Sequence, residues 1–90
     1  QNSPEFIRQI EAAAEKLRGS PLFETLQVLQ AKQEEIDAAI AALKIETRQD
    51  GERLMWLQAE RARCASLISE GVTSIGQLIY WTALQNMPGK

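Results

Sequence analysis

The stretch Pro21–Arg48, PLFETLQVLQAKQEEIDAAIAALKIETR, decides how this chain folds. Leu22, Leu26, Leu29, Gln33, Ile36, Ile40 and Leu43 recur in it at alternating four- and three-residue steps, the spacing that lines one face of a coiled-coil helix. After Pro21 no glycine or proline interrupts the run, which predicts a helix of about 42 Å at about 1.5 Å per residue. A helix that long in a chain of 90 residues needs a partner along its length. Residues 52–70 offer one, because Leu54, Leu57, Cys64, Ala65 and Ile68 share a face that Arg61 interrupts and Leu67 borders. Folding the two segments antiparallel about Gln49-Asp50-Gly51 sets Leu43 beside Leu54, Ile40 beside Leu57, Ile36 beside Arg61, Gln33 beside Cys64 and Leu29 beside Ile68. The two seams then match in length.

Ser20-Pro21 marks the start of this long helix and Ser3-Pro4 the start of a shorter one: serine caps, and proline opens the first turn, where its missing N–H costs nothing. The short helix is expected over residues 4–18, with Phe6, Ile10, Ala13 and Leu17 on one face and Gly19 available as a left-handed terminator. Ser3-Pro4-Glu5-Phe6 also resembles the tail of a cloning linker, so the first residues carry no weight in the reading. Beyond the hairpin, Gly71 is expected to stop the return helix, and Ser74-Ile75-Gly76-Gln77 has the form of a capping box for a final helix over residues 75–86. The expected fold class is therefore all-α, a single domain over residues 1–90. Its elements are a long antiparallel hairpin (helices 21–48 and 52–70), a short N-terminal helix and an apolar C-terminal helix. Small residues on the backs of the hairpin arms, Ala38 and Ala42 on one and Ala59 and Ala62 on the other, suggest that both arms are contacted on two sides.

Ten Lys and Arg stand against 12 Asp and Glu, a net charge of −2, and this supplies no basic field for nucleic acid or an acidic membrane. The chain has no histidine, the commonest metal ligand and general base, and its one cysteine excludes an internal disulfide framework. Glu34, Glu35 and Asp37 are the densest carboxylate group; without histidine they read as a solvated face, and Cys64 reads as a small core residue. Arg48, Arg53, Arg61 and Arg63 are interleaved with Glu46, Asp50, Glu52 and Glu60, which favours pairing within the chain over phosphate binding. No catalytic, cofactor or metal residue is assigned, and no enzyme activity, cofactor or small-molecule substrate is expected. The longest nearly unbroken apolar run, Leu78 to Leu84, is far short of the roughly 18 to 20 residues of a membrane span. With no secretory peptide visible and one free thiol, the expected location is the cytoplasm, a reducing compartment, or a virion.

The final segment carries the functional expectation. Ile75, Leu78, Ile79, Tyr80, Trp81, Leu84 and Met87 surround it on all sides, more apolar surface than one helix laid on a hairpin can hide. These residues, together with Trp56 at the margin of the return helix, are the candidate partner-binding set. They point to a non-enzymatic interaction or structural protein that assembles through apolar helix faces into a homo-oligomer or larger assembly. The alternative is a small inhibitor or adaptor that binds a host protein through the C-terminal aromatic segment. Ser20-Pro21-Leu22-Phe23 leading a long amphipathic helix, and the return Leu54-Met55-Trp56-Leu57-Gln58, resemble the small helical-hairpin accessory proteins of tailed bacteriophages. The resemblance spans roughly residues 20–70 and implies a virion or assembly role; it transfers no functional residue. Secretion-system hairpins are similar in size, but their Trp-x-Gly turn is replaced here by Gln49-Asp50-Gly51.

Overall fold

A computed structural model describes residues 3–88, and among these residues it contains three helices and no strand. They are α1 (Pro4–Leu17), α2 (Pro21–Ala42) and α3 (Arg48–Gln85). Of the described residues 86% are helical, which agrees with the all-α expectation. The molecule is a rod of 67 × 21 × 18 Å. Its spine is α3, on which α2 and α1 each pack while scarcely touching one another.

Both serine caps form as expected. The Ser3 hydroxyl accepts the Phe6 N–H at 3.1 Å and the Ser20 hydroxyl accepts the Phe23 N–H at 3.3 Å, each ahead of a proline in the first turn. Ser3-Pro4-Glu5-Phe6 is therefore a working helix start, and Phe6 is one of the buried residues. Gly19 does not terminate α1 by turning left-handed; Arg18 closes the helix in ordinary right-handed geometry, and extended Ser20 redirects the chain.

The α2–α3 hairpin has the expected register. Ile36, Leu57 and Cys64 form its buried centre, with Leu29, Ile40 and Leu43 packed around them, and Arg61 pairs with Asp37 beside Ile36. The same pairing continues to Leu26, which lies against Gly71.

Three features differ from expectation. The turn is Leu43–Thr47 rather than Gln49-Asp50-Gly51, so α2 ends at Ala42, not Arg48. Thr47 caps α3 and Asp50 completes the box: its carboxylate accepts the Glu46 and Thr47 N–H groups at 2.9 Å, and the Thr47 hydroxyl accepts the Asp50 N–H at 3.2 Å. Four orphan donors at a helix start are thereby reduced, which favours starting α3 at Arg48. Neither Gly71 nor the Ser74 box stops the helix, and residues 52–70 and 75–86 belong to one 38-residue helix. A Cβ at position 71 would lie 2.5 Å from Leu26 Cδ2, so Gly71 marks a close approach of α2 and not an end. Nothing in the structure explains Gly76, where a Cβ would meet open space. The third difference is the backs of the hairpin arms, for Ala38, Ala42, Ala59 and Ala62 are all exposed and the second contact side is unoccupied within the chain.

Candidate protein-interaction surface

The eight candidate residues divide by the elements that hold them. Phe6 of α1 meets Tyr80 of α3 edge to face, ring centroids 5.9 Å apart, and Tyr80 meets Trp81 the same way at 5.7 Å. Ala83, with 0% exposure, marks the fully covered side of this part of α3. Ile75, Ile79, Leu84 and Met87 are half-buried. The outward side keeps Leu78 and Trp81, the latter 60% exposed, and Tyr80 retains 40%. The segment is thus part core and part surface. It is not apolar surface on all sides, because α1 covers one flank.

Trp56 is 56% exposed and lies about 37 Å along α3 from Trp81, so the two tryptophans do not form one patch. It stands at the edge of an open groove of about 210 Å³ between α2 and α3, lined by Lys32, Glu35, Ile36, Ala39, Trp56, Leu57 and Glu60. The Arg53 guanidinium lies 5.7 Å from the Trp56 ring centroid, a cation–π contact at the groove rim. Glu60 accepts two hydrogen bonds from Arg63 at 2.7 and 2.8 Å, and this pairing holds the Arg63 guanidinium charged by raising its pKa above the ordinary arginine value. Arg48 pairs with Glu52 and Arg63 with Glu60, as the interleaved charges imply, whereas Arg61 pairs across the hairpin with Asp37 of α2, one of the carboxylates read as a solvated face.

Several exposed apolar side chains escape the reading from sequence, among them Ile7, Ile45, Met55 and Val72, and Leu22 of the α2 seam is exposed as well. Leu67 is 45% exposed and Val28 is 67% exposed. Leu67 borders the core face in the sequence pattern, and Val28 lies off the α2 seam. The usable signal was spacing: Trp56, Glu60, Arg63 and Leu67 follow one another at 4-3-4, a second seam on α3 turned away from the Leu57–Cys64 seam. Among the described residues no group of acids, cysteine or histidine is arranged to hold a metal ion, and no helix is long and apolar enough to cross a membrane.

No known protein family, curated protein or solved structure matches this chain.

Proposed function

We propose that this chain is a non-enzymatic helical interaction protein, a structural or assembly component that works by burying its exposed helix faces against other protein chains. The observation that carries this reading is its surface. The chain exposes 6858 Å², whereas a compact monomer of its mass exposes about 5,300 Å². The excess of roughly 1,500 Å² is larger than the roughly 800 Å² each partner contributes to a standard protein interface. It includes Trp56 and Trp81, of the residue type that anchors interfaces when desolvated, together with the apolar surface of Leu67 and Leu78. A reducing compartment or a virion suits a chain with one free thiol, and the phage-like hairpin pattern is compatible with either.

A second reading, the monomeric adaptor, is favoured by Leu78 and Trp81 standing outward beside Tyr80, where α1 leaves them free. Sedimentation velocity over a wide concentration range tests both. Mass that rises with concentration is expected for the assembly protein. A constant monomer that captures a host protein, and loses it on Trp81→Ala, would support the adaptor. A constant monomer that captures nothing would remove both readings.

A further inference from the structure

The exposed seam of α3 is complementary to itself. Arg53, Trp56, Glu60, Arg63, Leu67 and Glu70 follow at 3-4-3-4-3 along one face of the helix, and all six are exposed except Glu60, which is partly so. Read from the opposite end, the order is Glu70, Leu67, Arg63, Glu60, Trp56, Arg53. Laid against the forward order, it sets glutamate on arginine and leucine on tryptophan at every step. Such a face matches a second copy running antiparallel, with the twofold axis passing between Glu60 and Arg63.

The neighbouring face of α2 obeys the same rule. Lys32, Glu35 and Ala39 share the groove with Trp56 and Glu60, which fixes them on this side of the hairpin. One turn further on, Val28 extends the row to a 4-3-4 series. Inverting that row sets Lys32 on Glu35 and Val28 on Ala39. In the hairpin register that pairs Ile40 with Leu57, the centre of the α2 row lies about two residues, or about 3 Å, along the rod from the centre of the α3 row, so one axis passes close to the centres of both. The face is then banded: apolar at Val28 and Leu67, basic at Lys32 and Arg63, acidic at Glu35 and Glu60, apolar at Ala39 and Trp56. A twofold rotation lays each band on its complement.

We infer that this face is the contact between two copies of the chain, which associate face to face and antiparallel into a four-helix bundle. The inference rests on the assembly reading above and gives it a specific partner and surface. Isologous contacts of this kind are the commonest way a soluble protein closes an oligomer. The excess surface is sufficient for the interface, and the opposed charges select the antiparallel register over a parallel one, in which Glu60 would meet Glu60 and Arg63 would meet Arg63.

The test is a charge exchange between two variants, Glu60→Arg and Arg63→Glu, read by sedimentation equilibrium with helicity as the control for folding. Alone, each variant faces a like charge across the axis, and its self-association should fall at least about tenfold from that of the unaltered chain. Mixed, the two restore opposite charges at both positions between chains, although the pair inside each chain stays mismatched. The mixture should therefore form a heterodimer of near-native affinity, a result that a purely local effect of the Glu60–Arg63 pair cannot produce. Single variants that associate as well as the unaltered chain, or a mixture that fails to recover, would overturn the inference. Association that survives both variants but is lost on Trp81→Ala would leave the assembly reading standing and move the interface to the end of α3. A monomer at every concentration would overturn this inference, while the adaptor reading would still be decided by capture.

Discussion

Single residues set the two ends of the α2–α3 turn and the closeness of its arms. Asp50 accepts two backbone N–H groups, and these bonds hold its carboxyl below the ordinary value of 3.8. Because the folded value is the depressed one, the cap's contribution is fully present above the unfolded value and is lost as pH falls through the lower folded value. Amide chemical shifts of Glu46 and Thr47 should therefore move only in acid below the ordinary carboxylate range, and Asp50→Asn should abolish that transition. Thr47→Ala removes the reciprocal bond and should cost about 1 kcal/mol in a denaturant melt. Gly71 and Gly76, in the second half of α3, make a sharper pair. Gly76→Ala adds a methyl group in open space and should stabilise the chain by about 0.5–1 kcal/mol through helix propensity alone. Gly71→Ala has the same propensity gain but drives a Cβ into buried Leu26, so it should fall below Gly76→Ala by about 1 kcal/mol or more. Equal melting temperatures for the two variants would show that α2 does not approach α3 closely at Gly71. Gly71 reads as a helix stop in one dimension, and Gly76 as part of a new helix start, because the cost of glycine in a helix is local. The contact that makes Gly71 useful comes from a residue 45 positions away.

At the scale of elements, α3 serves two partners with different parts of its circumference. Along its first two-thirds it gives Leu57 and Cys64 to α2, and beyond Gly71 it gives Tyr80 to α1. The Phe6–Tyr80 contact is the named anchor of α1, so Tyr80→Ala should loosen that helix selectively. Hydrogen exchange should quicken at α1 amides while those around Leu57 stay protected, with a loss of about 1–2 kcal/mol in overall stability. Trp81→Ala should behave differently. Its ring is mostly solvated, and truncation should leave the stability of the isolated chain within about 0.5 kcal/mol of the original. A large loss at Trp81 would mark that ring as core. The hairpin register was legible in advance because each seam is a one-dimensional pattern, and matching lengths leave a single good alignment. The α1–α3 packing was not legible. Phe6 and Tyr80 are separated by 74 residues, and nothing in their local spacing says which flank of α3 the short helix covers.

For the whole molecule the governing quantity is the ratio of surface to core. Among the described residues only Phe6, Ala13, Leu26, Ile36, Leu57, Cys64 and Ala83 are buried, and a rod two helices thick has no layer deeper than these. Such a chain should gain stability by association, so its melting temperature should rise with protein concentration. Added salt should weaken that association by screening the opposed arginine and glutamate bands, and sedimentation at low and high salt measures it. A melting temperature independent of concentration would show that the isolated hairpin is self-sufficient. By itself the sequence determined the helical class, the two serine–proline starts, the seam that pairs α2 with α3, and the register of that pairing. All of these follow from spacing along one helix and from caps within one turn. The tertiary structure alone decided that α3 runs unbroken through Gly71 and Gly76, that the alanine backs stay open, and which sides of Tyr80 and Trp81 see solvent. Those outcomes depend on what lies across from a residue, and a helix burdened by Gly71 and Gly76 persists because α2 and α1 are packed along it.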